Sequence, residues 1–217
     1  MPDAILTFPN GFLWGTATAA HQVEGGNTLN DWWAWEQGEG HILHGDKSGR
    51  ACDWWRGGRW REDFDRAQET GQNAHRLSIE WSRIQPERER WDEQALEQYR
   101  QMLLGLRERG LQPMVTLHHF TNPLWLSEMG GWENPETPAL FAEFVRRATE
   151  ALGAHCQLWV TLNEPNVLMS GGYLGGGFPP GKNDLRLALS VYANLVRAHA
   201  LAYQAIHQLQ SDAQVGV

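Results

Sequence analysis

Short apolar runs alternate with longer segments of helical periodicity along this chain of 217 residues. The apolar runs lie at residues 12–17, 74–79, 112–117, 157–162 and 214–217, and polar residues or glycine bound them. Runs of this length, rich in β-branched and aromatic residues, are typical of buried strands. The pattern therefore predicts four strands and the start of a fifth.

The segments between these runs carry the pattern of amphipathic helices. In residues 92–109, apolar side chains recur from Leu96 to Leu106 at spacings of three and four, which marks one face of a helix. Gly110 follows, where a glycine often ends a helix. Similar faces occur near residues 60–67, 138–152 and 184–206. A repeated strand–helix order predicts an α/β fold with a parallel sheet.

The spacing of the predicted strands sets the size of the fold. They start near residues 12, 74, 112, 157 and 214, or roughly 50 residues apart. Eight units at this spacing would need about 400 residues, well above the ~250 residues of a minimal eight-stranded barrel. The long connections at residues 18–59 and 120–136 follow strands, and active sites of parallel α/β proteins lie at that end. No linker or internal repeat divides residues 1–217, so we predict a single domain.

Composition excludes several functional classes. Eighteen basic and 26 acidic residues give a net charge of −8, which argues against nucleic-acid binding. No apolar run approaches the ~18 residues of a membrane span, and no basic, apolar leader opens the chain, so we expect a cytoplasmic location. Two cysteines are too few for a disulfide framework or a cysteine-based zinc site, and we expect no metal or cofactor. Twelve tryptophans are the unusual feature.

The sharpest candidate for chemistry is Thr-Leu-Asn-Glu-Pro at residues 161–165. Glu164 directly follows a predicted strand, the position at which barrel enzymes place a catalytic carboxylate. Pro165 restricts the backbone of Glu164, and the amide of Asn163 can both donate and accept hydrogen bonds, as a sugar hydroxyl requires. The alternative from these residues alone is a polar turn that ends a strand.

This segment resembles the acid/base motif of glycoside hydrolase family 1, the β-glucosidase and β-glycosidase family. Other segments resemble motifs of the same family in the same order. They are Phe-Leu-Trp-Gly-Thr-Ala-Thr-Ala-Ala-His-Gln-Val-Glu-Gly at 12–25, Asn-Asp-Trp-Trp-Ala-Trp-Glu at 30–36, His-Arg-Leu-Ser-Ile-Glu-Trp-Ser-Arg-Ile at 75–84, and Val-Thr-Leu-His-His-Phe-Thr-Asn-Pro-Leu-Trp-Leu at 115–126. The resemblance runs from about residue 8 onward. It implies the N-terminal half of a TIM (β/α)8 barrel, with about four βα units plus the start of strand five.

The resemblance also implies roles for individual residues. Glu164 is the expected general acid/base, and Asn163 is expected to bind the sugar 2-hydroxyl. Gln22 and His119 are expected to hold hydroxyls at the far side of the same sugar. We expect His118 to be structural, because neighbouring residues of a strand point to opposite faces and cannot easily share a metal ion.

Arg76 is expected, from the same resemblance, to support the nucleophilic carboxylate with its positive charge. The alternative is a structural ion pair with Glu80, Glu164 or another carboxylate. Because sugar rings pack on flat aromatic faces, Trp33 and Trp125, together with Trp35, are the candidate sugar platforms. Three further tryptophans lie in strand-like runs and are expected in the core: Trp14, Trp81 and Trp159.

The family's nucleophile is absent from this sequence, since it belongs to a Thr-Glu-Asn-Gly motif that the chain does not contain. We therefore expect the N-terminal half of a retaining β-glycosidase that acts on β-linked glucosides when a C-terminal half completes the barrel. The alternative is a catalytically incompetent half-barrel that folds by self-association or binds sugar without turnover. A third possibility is an unrelated doubly wound protein with five strands.

Overall fold

The structure is a computed structural model that describes residues 7–217. Its strands form one parallel sheet, and their order in the sheet is their order in the chain. They are β1 (Gly15–Thr18), β2 (Ala74–Ser78), β3 (Gln112–His118), β4 (Leu158–Leu162) and β5 (Gln214–Gly216). A doubly wound sheet reverses its strand order at a switch point, whereas a barrel adds each strand beside the last. The observed order is that of a half-barrel, as predicted.

The strand register separates the two faces of the sheet. Leu77, Val115, Trp159 and Val215 are successive partners across β2 to β5. The first three of these are buried beneath the helices, with at most 1% of their surface exposed. The neighbouring row contains Arg76, which is only half-buried. The face toward the barrel interior is thus less covered than the face toward the helices.

Helices fill the connections between strands in residues 7–217. The bounds are α1 (Ala20–Val23), α2 (Asp31–Gln37), α3 (Trp54–Gly57), α4 (Trp60–Glu69), α5 (Trp81–Ile84), α6 (Glu93–Glu108), α7 (Leu124–Glu128), α8 (Thr137–Leu152), α9 (Pro165–Met169) and α10 (Leu185–Leu209). A π-helical turn at Ser170–Leu174 and 3₁₀ turns at Gly131–Glu133 and Gly153–His155 complete them. No helix of this set combines the length and the apolar character needed to cross a bilayer.

Helix ends follow local side-chain chemistry. Asp92 caps α6 by accepting hydrogen bonds from two backbone N–H groups of the first turn, and Asp184 caps α10 in the same way. Helix α8 begins at Thr137, and Glu136 occupies the cap position without a side-chain hydrogen bond. These caps place the helix starts within a residue or two of the predicted positions.

Most of the apolar core lies between the sheet and helices α4, α6, α8 and α10. Trp81 stacks on Phe144 of α8, with ring centroids 5.0 Å apart. Trp81 and Trp159 are each 1% exposed, as predicted. The prediction for Trp14 is wrong. Its side chain is 50% exposed and joins Phe8 and Phe12 beside the edge strand β1, where no further strand covers it in the described residues.

We expect Phe144→Ala to lower the free energy of unfolding by about 3–5 kcal/mol, because truncation of a buried phenyl ring removes apolar contacts and leaves a cavity. Urea unfolding followed by tryptophan fluorescence measures the change. Leu43→Ala is the control, since Leu43 is 89% exposed and its truncation should change stability by less than about 0.5 kcal/mol. Equal effects of the two substitutions would contradict the described packing.

Candidate active site

The loops that follow β1, β3 and β4 meet at one edge of the sheet. Parallel strands all end on the same side, so residues that follow them in sequence come together in space. The first loop, residues 19–59, is by far the longest and contains three short helices, α1 to α3, before α4. Its position is set by polar side chains that are buried where it crosses the ends of β2 and β3.

Glu80 is the centre of the main anchor. It follows β2 and is fully buried. Its Oε2 accepts hydrogen bonds from Asn27 Nδ2 at 2.8 Å and Thr121 Oγ1 at 3.0 Å, and its Oε1 accepts one from Ser82 Oγ at 2.8 Å. A carboxylate that accepts several donors tolerates burial because its charge is compensated. Glu80 therefore ties the first loop and the loop after β3 to the end of β2.

A second buried carboxylate, Glu24, holds the start of the same loop. Arg83 Nε donates to Glu24 Oε2 at 2.6 Å, and the hydroxyl of Tyr99 donates to Glu24 Oε1 at 2.6 Å. The Tyr99 hydroxyl also accepts the backbone N–H of Glu80 at 2.9 Å, so the two anchors are connected. The guanidinium of Arg83 lies 4.1 Å from the ring centroid of Trp55, a cation–π geometry.

A third anchor joins α2 to the loop after β3. Asp31 accepts hydrogen bonds from the backbone N–H of Asn122 at 2.9 Å and from Asn122 Nδ2 at 2.8 Å. Asn122 Oδ1 lies 3.0 Å from His118 Nε2. Burial raises the pKa of Asp31 to about 7 and lowers the pKa of His118 to about 4. His118 faces Trp132 and Phe141 in the core, as its expected structural role requires.

Asn163 and Glu164 follow β4 as the sequence predicts. The backbone N–H of Asn163 donates to the carbonyl of His118 at 2.8 Å, so the ends of β3 and β4 are joined. The side chain of Asn163 is buried, and its Nδ2 donates to Glu164 Oε2 at 3.4 Å. Glu164 itself is exposed and left-handed, with φ 45° and ψ 60°, just before Pro165 starts α9. This backbone conformation costs a residue other than glycine roughly 1–2 kcal/mol and is kept where surrounding structure enforces it.

Gln22 and His119 line one cavity of about 190 Å³ at this edge of the sheet. The first loop supplies Gln22 from α1, and His119 follows β3. Burial, with a smaller contribution from the charge of Arg76, lowers the pKa of His119 to about 4, so its imidazole is neutral at pH 7. A neutral imidazole can donate from one nitrogen and accept at the other. No carboxylate lines this cavity within residues 7–217.

Aromatic rings that the sequence analysis did not single out complete the cavity wall: Trp32, Phe120 and Phe178. Trp32 meets Phe178 edge-on at 5.0 Å, and Phe120 lies 5.7 Å from Phe178. The wall thus combines three separate loops. Gly171 makes it possible, because a Cβ at that position would lie 2.7 Å from the Phe178 ring.

The predicted tryptophan platforms lie outside this cavity. Trp33 follows Trp32 in α2 and lies beside Gly49, while Trp35 stacks on His41 with centroids 3.9 Å apart. Trp125 in α7 donates its indole N–H to the carbonyl of Gln85 at 2.9 Å and packs edge-on against Trp81. Trp125 thus packs against α5, and its expected role as a sugar platform stays a prediction. Of the tryptophans in the motif at residues 30–36, Trp32 is the one that lines the cavity together with Gln22 and His119.

Arg76 lies on β2, with its side chain on the face opposite His75. His75 packs against Trp54 and Phe64 on the helix side. Arg76 therefore points toward the barrel interior, near enough to His119 for its charge to affect that imidazole. It forms no ion pair with any carboxylate of residues 7–217. Glu80, one of the alternative partners, is instead engaged by the donors described above.

The sequence profile of Glycosyl hydrolase family 1 matches residues 5–217. Beta-glucosidase A of Thermotoga maritima is 38% identical over 98% of this chain and 49% of its own length. The 6-phospho-beta-glucosidase GmuD of Bacillus subtilis is 32% identical over 97% of this chain and 46% of its own length. The chain spans about half the length of the curated relatives it matches.

Solved structures show the same relationship. The β-glucosidase from Thermotoga maritima in complex with castanospermine superposes with a TM-score of 0.93 at 37% identity, over 97% of this chain and 49% of that chain. A structure of the family 1 β-glucosidase from the same organism gives a TM-score of 0.94 at 36% identity, over 98% of this chain and 49% of that chain.

We expect three buried histidines, His75, His118 and His119, each to contribute less stability as the pH drops from about 6.5 toward 4, because their pKa values are lowered to about 4. An unfolded histidine titrates near 6.5, so the unfolded chain binds these protons first. The stability they contribute is complete above about pH 6.5. Each contributes a slope of up to about 1.4 kcal/mol per pH unit in this window.

Urea unfolding between pH 4 and 7.5 tests this expectation. His75→Gln should reduce the acid slope without touching the cavity, because His75 lies on the helix side of the sheet and bonds to Thr16 and Thr18. His44→Gln, at an exposed loop position, is the matched control and should leave the slope unchanged. Because the raised pKa values of Asp31 and Glu24, both about 7, give a slope of the opposite sign, the quantity compared is the difference between variant and original chain. An acid slope that His75→Gln leaves unchanged would refute the described burial of its imidazole.

Proposed function

Because this chain belongs to glycosyl hydrolase family 1, we propose that it supplies the acid/base half of a retaining β-glycosidase that hydrolyses β-linked glucosides. One observation carries the proposal. Glu164 extends from the end of β4 in a left-handed conformation, hydrogen-bonded to the buried amide of Asn163, at the edge of the sheet where the cavity opens. A carboxyl group beside a buried amide at the C-terminal end of a strand supports the proposal, because barrel enzymes perform their chemistry at that edge.

The proposed reaction uses Glu164 twice. As an acid it gives its proton to the glycosidic oxygen while the bond from that oxygen to the anomeric carbon breaks and a carboxylate nucleophile bonds to the carbon. As a base it then takes a proton from water, which attacks the same carbon and releases the sugar from the nucleophile. Its exposed position suits both steps, because the leaving group and the water approach from the solvent side.

The nucleophile must come from elsewhere in the completed enzyme. Retaining enzymes place their two carboxyl groups about 5–5.5 Å apart, and no carboxylate lines the described cavity. Arg76 supports this arrangement, since it faces the barrel interior without an ion pair in residues 7–217 and its charge would keep a nearby nucleophile ionised. We propose that the second half of the family fold provides that carboxylate.

The sugar is proposed to occupy the cavity that Gln22 and His119 line. The neutral His119 imidazole and the Gln22 amide both donate and accept, which matches the needs of hydroxyl groups. The rings of Trp32 and Phe178 offer flat apolar faces for the C–H surface of the sugar, the role first expected of Trp33 and Trp125. An uncharged β-glucoside suits these walls.

A second candidate function is a half-barrel that binds sugar, or associates with its own copies, without turnover. The cavity lined by Gln22 and His119, with no carboxylate in its described walls, favours this alternative for the chain by itself. The two functions differ in one outcome, which is whether the addition of a second half produces hydrolysis.

We expect no hydrolysis of 4-nitrophenyl β-glucoside by the chain alone, and turnover when it is coexpressed with the C-terminal half of Thermotoga maritima beta-glucosidase A. Glu164→Gln should lower kcat of the completed enzyme by about 10²–10⁴-fold, because the amide cannot transfer a proton. The loss should be much smaller with a 2,4-dinitrophenyl leaving group, which departs without protonation. The assay is release of the nitrophenolate.

Glu143→Gln is the matched control, because Glu143 is an exposed glutamate on α8 outside the cavity. It should retain full activity. Turnover by the chain alone that Glu164→Gln abolishes would mean that a carboxylate of this half acts as nucleophile. A completed complex that binds glucoside without hydrolysis would favour the second candidate function.

A further inference from the structure

One polar cavity lies at the end of the sheet where β3 and β4 begin, opposite the edge that carries Glu164. It has a volume of about 220 Å³ and is formed by the end of α6, the start of β3 and the chain between α8 and β4. We call it the lower cavity. Its polar side chains are those of Arg107, Gln112, His155 and Gln157. No carboxylate lines it within residues 7–217, although the whole chain has a net charge of −8.

The backbone wall of the lower cavity has most of its acceptors already engaged. Gln210, at the end of α10, donates from Nε2 to the carbonyl of Gly153 at 3.2 Å and to that of Cys156 at 2.9 Å. From the other side, Arg107 Nη1 on α6 donates to the carbonyl of Ala154 at 3.1 Å. The turn before β4 is therefore fixed by two elements, and three of its carbonyl groups are not available to a ligand.

The side chains of the lower cavity leave donors instead. Arg107 keeps further guanidinium N–H groups and forms no ion pair within residues 7–217. The imidazole of His155 and the amide of Gln112 form no hydrogen bond with any other described residue. Gln157 is already bonded, because its Nε2 donates to Asp212 Oδ2 at 3.1 Å. The cavity therefore offers a guanidinium, an imidazole and an amide to a ligand.

The surroundings of His155 are positively charged. Three charged side chains of α6 face its imidazole, namely Arg100, Arg107 and Glu97. Partial burial and the two guanidinium groups lower the pKa of His155, and Glu97 opposes them only in part. Glu97 is itself paired with Arg100, with Oε1 2.6 Å from Nη2, so the charge of Arg107 is the one left uncompensated. A bound anion would counteract this repulsion, because a nearby negative charge favours the protonated imidazole.

We propose that the lower cavity binds a small oxyanion of the phosphate class, held by the guanidinium of Arg107 with His155 and Gln112 as further donors. Arginine suits such a ligand, because its planar fork donates two parallel N–H groups to two oxygen atoms. The volume of about 220 Å³ is below the ~300 Å³ at which pockets for drug-sized ligands begin, which favours a free anion over a larger phosphorylated compound.

This site is independent of the proposed function. It lies where the strands begin, whereas the chemistry of parallel barrels takes place where the strands end. An anion in the lower cavity would join α6 to the turn before β4 through Arg107 and His155. Because it would bind the folded chain and not the unfolded one, phosphate should also stabilise the fold.

Titration of the chain with inorganic phosphate at constant ionic strength tests the site. The imidazole signals are followed by two-dimensional NMR, and the signal that His155→Gln removes is assigned to His155. Phosphate should raise the pKa of His155 in a saturable way, whereas sodium chloride at the same ionic strength should not. Arg107→Gln should weaken phosphate binding at least about 10-fold, because it removes the charge-assisted hydrogen bonds.

Arg197→Gln is the matched control, since Arg197 is an exposed arginine of α10 that lies outside the lower cavity and forms no ion pair within the described residues. It should bind phosphate like the original chain. Both arginines are exposed, so the circular dichroism of both variants in chloride should match that of the original chain. A His155 signal that phosphate and chloride shift equally would overturn the inference, as would phosphate binding that Arg107→Gln leaves unchanged.

Discussion

Among the three anchors that hold the active-site loops, the buried carboxylate of Glu80 is the central one. It accepts Asn27 from the first loop and Thr121 from the loop after β3, and it stands at the end of β2. Truncation of one hydrogen-bond partner leaves a buried polar atom unsatisfied. This lowers the free energy of unfolding by more than the average net contribution of one hydrogen bond. The two loops that provide most of the cavity wall are therefore tied to the sheet through the same carboxylate.

The strands and helices of this protein were predictable from periodicity, because the spacing of apolar residues within a short segment indicates which side chains face the core. The strand after residue 157, the helix caps at Asp92 and Asp184, and the place of Glu164 at a strand end all follow from local sequence. The exposure of Trp14 does not. A tryptophan in an apolar run is buried only if another element covers it, and at the edge strand β1 the described residues provide none.

The cavity beside Gln22 was predictable in its polar residues and less so in its aromatic ones. Gln22 and His119 were identified through motif resemblance, and they do share a cavity. The choice between Trp32 and Trp33 depends on the phase of the short helix α2, in which neighbours point about 100° apart. Phe178 depends on the backbone of a glycine-rich loop, where Gly171 makes room for its ring. Neither feature has a periodic signal, although Trp32 lies in a segment that resembles a family motif.

Backbone strain connects the anchors to the chemistry. Phe120 and Glu164, at the ends of neighbouring strands, both adopt left-handed conformations, with φ values of 72° and 45°. Each costs roughly 1–2 kcal/mol and persists only where its surroundings hold it. Here the Thr121–Glu80 bond holds the first residue and the bond from Asn163 to the His118 carbonyl holds the second. All of these bonds lie within this half of the fold. The loop that carries Glu164 is therefore held by contacts within the described residues, and under the proposed function the rest of the fold would add a second carboxylate without reshaping these loops.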